Sequence, residues 1–249
     1  MDQTRQPDTI PWCGPAPDPA AILGSWNFHP LLVLAMLMLL MLGMARAVNR
    51  SIFFLAWTVL VIAFVSPLCA MTTALFSARA FHHLLLVTFA APMLALCLPL
   101  RSQFMFGTSA PVSLLLTASV LLLWHIPAVY TVAWDSVAAY WLMQFALLLP
   151  AWAFWSSVFV PRHRDAGSVL VNAALVGALA GVMGLIGAIL TFSNRLLYVE
   201  HIAGPIAWGI DPLTDQQTAG LIMWVPGLVP LALVAAAMAR RAWRLGEVA

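Results

Sequence analysis

Seven long apolar stretches limit what this chain can fold into more than any other feature. Each contains about 20 mainly apolar residues, which is the length that a helix needs to cross a bilayer. The stretches are continuously apolar, whereas the strands of a membrane barrel would alternate apolar and polar residues. They are residues 30–48, 51–70, 81–100, 111–130, 137–160, 168–192 and 217–239. The sequence therefore predicts an all-α, polytopic membrane protein with seven transmembrane helices.

The charge content agrees with a membrane protein and excludes several other classes. Only 8% of the 249 residues are charged and 63% are apolar, whereas a soluble domain carries about 25% charged residues. An ordinary soluble enzyme and a disordered protein are therefore excluded. The 11 basic residues are scattered arginines, with no lysine. This distribution forms no basic patch, so no nucleic-acid partner is expected.

The distribution of arginines predicts the orientation, because short cytoplasmic loops collect positive charge. If the N-terminus lies outside, eight of the 11 arginines fall in cytoplasmic segments, and we therefore predict an outer N-terminus and a cytoplasmic C-terminus. Residues 1–29 then form a flexible, Pro-rich outer tail, 30–239 the transmembrane domain, and 240–249 a short basic cytoplasmic tail. The eight arginines are Arg46, Arg50, Arg101, Arg162, Arg164, Arg240, Arg241 and Arg244.

Histidines near the outer ends of the spans are the first candidates for a functional site. His83 lies about one turn inside the third span, and ionisable side chains inside a membrane are functional by default. His125 belongs to the motif WHIPAVY, in which Pro127 lacks an N–H and leaves the Leu123 carbonyl without its helical partner. The alternative for His83, and for its neighbour His82, is an interfacial side chain that is hydrogen-bonded to a backbone carbonyl, and the alternative for His125 is a structural role.

Other candidate ligands lie at a similar depth. Met223 is about six residues into the seventh span, and imidazole and thioether groups together suit copper. Asp215 stands at the top of the same span, where its carboxylate can cap a helix or bind a metal. Asp211, followed by Pro212, is typical of a turn or a helix cap. His83, His125 and Met223 predict a copper site, Asp215 is either a cap or a further ligand, and His82 and His201 are weaker candidates.

Two further patterns concern structure and not chemistry. Gly177, Gly181, Gly184 and Gly187 form a small-residue seam in the sixth span, of the kind that lets helices approach closely. The three cysteines form no CxxC motif, and their spacing argues against a disulfide scaffold or a thiolate zinc site. No motif of a metalloprotease, phosphate loop or nucleophile elbow is present, so the chain is not expected to be an enzyme.

Several segments resemble the CtaG-type integral membrane proteins that are associated with assembly of haem–copper cytochrome c oxidase. The strongest is DPLTDQQTAGLIMWVPG at 211–227, supported by WHIPAVY at 124–130 and HHLLLVTFAAPMLALCLP at 82–99. The resemblance implies a non-enzymatic assembly factor of the bacterial inner membrane that delivers or inserts copper, with oxidase subunits and membrane lipid as partners. The chain departs from the family pattern at Arg79 and Gln144, where the family tends to have histidine.

Two other functions stay open on the sequence alone. A copper-uptake or copper-resistance membrane protein would use the same outer histidines. A b-type haem protein would use His83 and His125 as axial ligands, because they lie on different helices near one membrane face. A haem protein would show a Soret absorption band after purification.

Overall fold

A computed structural model describes residues 12–100, 109–159 and 165–247. Every regular element in these ranges is helical, which confirms the all-α prediction. A π-helical turn (Leu85–Ala90) joins α4 to α5, and short 3-10 turns cover Ile22–Gly24 and Val199–His201. The α-helices are α1 (Pro30–Arg46), α2 (Arg50–Phe64), α3 (Pro67–Ala74), α4 (Phe76–Leu84), α5 (Ala91–Cys97), α6 (Ala110–Trp124), α7 (Pro127–Asp135), α8 (Val137–Val158), α9 (Ala166–Phe192), α10 (Ala203–Ala207) and α11 (Pro212–Glu247).

All seven predicted stretches are helical, but they differ in how they could cross a membrane. Within the described residues, four helical segments are long and apolar enough to span: Phe76–Cys97, α8, α9 and α11. Two more candidate spans are bent pairs, α2 with α3 at 44° and α6 with α7 at 80°. The shorter helix α1 has 17 residues. The structure therefore shows a multi-pass helical protein with four to six candidate spans, and the number seven stays a prediction.

Both bends have a local cause in serine or proline. Ser66 accepts a hydrogen bond from the Leu68 N–H at 3.2 Å and so caps α3, which begins at a proline. Pro127 begins α7 in the same way. Pro127 has no N–H for the Leu123 carbonyl, and the Ile126 N–H donates to that carbonyl at 3.1 Å instead. The last turn before Pro127 is tighter than an α-helical turn, and its hydrogen bond from Ile126 supplies a partner for the Leu123 carbonyl.

The helices α9 and α11 pack most closely at a pair of glycines. A Cβ atom added at Gly187 would lie 2.8 Å from the Gly220 carbonyl oxygen, and one added at Gly220 would lie 2.5 Å from the Gly187 carbonyl oxygen. The predicted glycine seam is therefore confirmed at its C-terminal end. It is wrong at Gly177 and Gly181, where an added Cβ would meet open space.

A disulfide joins the N-terminal segment to the bundle. Cys13 and Cys69 are bonded across 56 residues of sequence, so the expectation that the cysteines do not pair is wrong. The segment also contacts the bundle through the Trp208 indole N–H, which donates to the Pro17 carbonyl at 2.9 Å. Residues 12–29 of the predicted outer tail are therefore attached to the helices. Cys97 is free and buried.

Large apolar side chains cover much of the outer surface of the helices. Leu142 is 62% exposed on α8 and Leu233 is 66% exposed on α11. Such side chains are favourable where lipid replaces water as the solvent. The interior, in contrast, contains a set of buried polar side chains that are concentrated around α4, and these define the candidate site.

Candidate functional site in the polar interior around α4

The start of α4 is held by an acid from a distant helix. The Asp215 carboxylate accepts hydrogen bonds from the Phe76 N–H at 2.6 Å and from the Ser77 N–H at 3.3 Å, and it also accepts from the Ser77 hydroxyl. These N–H groups have no partner within α4, and the helix dipole favours a negative charge beside them. Asp215 therefore caps α4, although it belongs to α11. Asp211 caps α11 itself by accepting from the Thr214 N–H at 3.0 Å.

Successive turns of α4 carry three buried ionisable side chains, Arg79, His82 and His83, which are 4%, 1% and 4% exposed. The π-helical turn begins two residues after His83. Pro92 lacks an N–H and cannot make the helical hydrogen bond to the carbonyl four residues before it. This missing bond accounts for the irregular pattern of backbone hydrogen bonds at the π-helical turn. Single π-helical turns occur frequently at functional sites. Pro92 is the sequence signal that could have predicted this irregularity.

Arg79 is a buried cation surrounded by aromatic rings. Its guanidinium carbon lies 5.6 Å from the ring centroid of Tyr130, 5.8 Å from that of Trp134 and 5.9 Å from that of Tyr140. The Nε–H donates to the Thr72 carbonyl at 3.3 Å. Cation–π contacts of this kind contribute about 0.5–2 kcal/mol each. No carboxylate of the described residues lies within ion-pairing distance of the guanidinium.

The predicted stretches 51–70 and 81–100 leave Arg79 between two spans, and that boundary is wrong. The helix begins at Phe76 and includes Arg79, so the break lies earlier in the chain, at Leu75. The spacing between Arg79 and His83 in the sequence could have predicted that Arg79 belongs to the helix. Arg79 precedes His83 by four residues, and residues four apart share one face of a helix.

His83 and His125 face each other across two helices. Their ring centroids lie 6.3 Å apart, with the ring planes at 81°. The His125 Nδ1 is 2.6 Å from the Leu121 carbonyl oxygen, which leaves its other ring nitrogen for a ligand. The His83 Nε2 is buried and has no hydrogen-bond partner.

Neither amide atom of the buried Gln144 has a hydrogen-bond partner. Buried polar atoms without a partner are rare, and each needs a physical explanation, of which a binding role is one.

The other predicted ligands have different surroundings. The His201 Nε2 is 2.7 Å from the Tyr130 hydroxyl oxygen, and burial lowers the pKa of His201 to about 3. The His82 ring packs edge-on against Phe64, with centroids 5.2 Å apart. Met223 is buried in α11, one turn before Gly227, which approaches Leu84 of α4.

The structure brings together His83 and His125, but not the full predicted set. Asp215 binds the backbone at Phe76, seven residues before His83, which is about 10 Å along a helix at 1.5 Å per residue. Among the described residues, no group of three or more His, Cys, Asp or Glu side chains could hold a metal ion. The imidazole pair remains, with ring centroids 6.3 Å apart.

The fold and this interior define a class: a multi-pass helical membrane protein with buried, incompletely paired polar groups between its helices. A family model described as cytochrome c oxidase caa3 assembly factor (Caa3_CtaG) matches residues 43–245. The chain belongs to this family, which confirms the resemblance seen in the sequence. No curated protein and no solved structure matches the chain significantly.

Proposed function

We propose that this protein assists assembly of cytochrome c oxidase by carrying copper toward the haem–copper centre of the terminal oxidase. The observation that supports copper most directly is the His83–His125 pair, with a separation of 6.3 Å and an unpartnered Nε2 on His83. Neutral imidazole is a good ligand for copper. Copper is the cargo in this proposal, and the two histidines hold it during transfer.

Membership of the family supports the remaining parts of the proposal. An assembly factor for the caa3 oxidase implies contact with the oxidase subunits and a binding role, without catalysis. The caa3 oxidase is bacterial, and we therefore place the protein in the bacterial inner membrane. There it would contact lipid and would have no nucleic-acid partner.

We also propose seven spans, with the N-terminus outside and the C-terminus in the cytoplasm. The Cys13–Cys69 disulfide supports this orientation, because disulfides persist in oxidising compartments such as the bacterial periplasm. Helix α1 would be the seventh span, beside the four straight candidates and the two bent pairs. The excess of arginines on the opposite side supports the same orientation.

The test measures the copper-to-haem ratio of cytochrome oxidase purified from cells that lack this protein. We expect haem to be retained and copper to fall, because only the metal delivery is lost. Cells that carry His83→Ala or His125→Ala should show the same deficit, with the variant present in the membrane at the parental level. His29→Ala is the matched control, since His29 is an exposed histidine in the N-terminal segment.

An unchanged copper-to-haem ratio in abundant oxidase would contradict the proposal. If cellular copper then changes in the His83 and His125 variants without any effect on the oxidase, the protein acts in copper uptake or resistance. The two outcomes are distinguished by assaying total cellular copper in the same strains.

A further inference from the structure

In the part of the chain that the structure describes, the buried guanidinium of Arg79 has no carboxylate partner. A charge removed from water is costly unless an opposite charge accompanies it. Around Arg79 the structure shows three aromatic rings and one backbone carbonyl, and none of these carries a negative charge. The rings of Tyr130, Trp134 and Tyr140 enclose the guanidinium but do not neutralise it. Among the described residues no carboxylate contacts this guanidinium, and the buried acid Asp215 is bonded to the start of the same helix.

Unpartnered polar atoms continue inward from Arg79 on two neighbouring helices. Arg79 lies near Tyr140 of α8, and one helical turn further along each helix come His83 and Gln144. The two helices run in the same direction, since Val87 further along accepts a hydrogen bond from Trp155 further along α8. The free Nε2 of His83 and both free amide atoms of Gln144 therefore lie at the next level of the same interior.

We propose that Arg79 is the anchor of a binding site for a small monocarboxylate, with His83 and Gln144 supplying further hydrogen bonds. The planar guanidinium fork matches a carboxylate in two-point contact. A single anchoring charge is neutralised by a monoanion, whereas a phosphate dianion would leave a net buried charge. The proposal concerns Arg79 and an anion, and it does not rest on copper binding.

The enclosure of the site favours a small ligand. The Cys13 sulfur lies 3.3 Å from the Tyr140 hydroxyl oxygen, and Thr72 contacts both Cys13 and Arg79. The N-terminal segment that the disulfide attaches to α3 therefore lies against Tyr140, one of the three rings around Arg79. A ligand of the size of formate or acetate fits this closed arrangement better than a peptide.

The first test uses the purified full-length protein in detergent, with formate as the probe and without added metal. We expect the melting temperature of the wild type to rise by several degrees with formate and to saturate, whereas equal concentrations of chloride produce no such rise. Arg79→Met should abolish the response. Arg195→Met is the matched control and should keep it, because Arg195 is exposed. Responses of equal size in all three proteins, or an equal response to chloride, would overturn the proposal.

A second measurement covers the case in which Arg79→Met does not fold. Binding of ¹³C-formate to the wild type and to Gln144→Leu is compared by NMR titration. We expect several-fold weaker binding by the variant, because the amide no longer donates to the carboxylate. Equal affinity would overturn the assignment of Gln144 to the site.

A third test asks whether an acid of the chain itself, outside the described residues, binds Arg79 in place of an external ligand. In a variant with Asp2→Asn and Asp8→Asn, we expect the same response to formate as in the wild type. If only this variant responds, the carboxylate beside Arg79 is supplied by the chain itself, and an external ligand is excluded.

Discussion

The contact between α9 and α11 and the interior around α4 bury their surfaces in opposite ways. Between α9 and α11, Gly187 and Gly220 let two backbones meet, with no room for a single added carbon. Around α4, the buried groups are large and polar, and His83 and Gln144 keep atoms without partners. The α9–α11 contact is therefore tightly packed, whereas the interior around α4 contains polar atoms without hydrogen-bond partners.

This contrast separates what holds the protein together from what it can do. Lipid tails are as apolar as leucine, so helices in a membrane associate through close packing and hydrogen bonds. A glycine contact supplies such packing without burying a polar side chain. Buried ionisable groups are expensive in the same environment, so they mark functional positions. Three substitutions test this division, and each has a matched control at an exposed position.

The largest expected effect is the loss of the α9–α11 contact in Gly220→Leu. The new side chain would begin 2.5 Å from the Gly187 carbonyl oxygen, so the two helices must separate. We expect a loss of about 3 kcal/mol or more in the free energy of unfolding. The measurement is thermal unfolding in detergent. Gly181→Leu is the control, and it should change stability by less than about 0.5 kcal/mol because its Cβ faces open space.

Equal destabilisation by Gly220→Leu and Gly181→Leu would show that the α9–α11 contact does not determine the effect, since leucine by itself forms helices better than glycine. In that case the two regions would not differ in how they stabilise the bundle. The copper and carboxylate proposals would be unaffected, because neither position contacts the polar interior.

An intermediate effect is expected for Asp215→Ala. The buried N–H groups of Phe76 and Ser77 would lose their acceptor, which costs about 2 kcal/mol for a cap of this kind. Asp211→Ala removes an exposed cap and should cost about 1 kcal/mol or less, since water replaces the carboxylate. Urea or SDS unfolding of the metal-free proteins measures both. Unchanged stability of metal-free Asp215→Ala, together with lost copper binding, would make Asp215 a ligand and not a cap.

The smallest expected effect concerns the pH dependence of stability. Burial lowers the pKa of His201 to about 3 in the folded protein, whereas the unfolded chain has a pKa near 6.5. Below pH 6.5 the unfolded state binds the proton first, so stability falls as the pH falls. Between pH 7 and pH 5.5 this loss is about 1 kcal/mol for one such group.

His201→Gln should therefore lose about 1 kcal/mol less than the wild type between pH 7 and pH 5.5, since glutamine does not titrate. The amide can also keep a hydrogen bond to the Tyr130 hydroxyl. Thermal unfolding at the two pH values measures the difference. His29→Gln, at an exposed position, should keep the wild-type dependence. Parallel pH curves for the wild type and His201→Gln would show that this histidine does not stay neutral.

Local patterns in the sequence predicted the elements of the fold well. The seven apolar stretches are helices, Asp211 caps the helix that begins at Pro212, and the C-terminal part of the glycine seam packs against α11. Each of these depends on residues close together in the chain. The family was also predicted from segments of contiguous sequence, and the match over residues 43–245 confirms it.

The candidate site was predicted only in part. The sequence placed His83 and His125 at a similar depth, and the structure brings them together at 6.3 Å. It could not assign the Asp215 carboxylate to the start of α4, because the two are 139 residues apart. The Cys13–Cys69 disulfide was not predicted for the same reason, since no short sequence motif indicates a bond across 56 residues.

The sequence alone determined that this chain forms apolar membrane helices and belongs to its family, because hydrophobicity and contiguous motifs are local properties. The tertiary structure decided which polar groups are partnered. Asp215 becomes a cap because α11 lies beside the start of α4. Arg79 becomes a buried cation because Tyr130, Trp134 and Tyr140 converge on it from two other helices. Burial and pairing depend on neighbours that are distant in the chain, and only the packing of the helices brings those neighbours together.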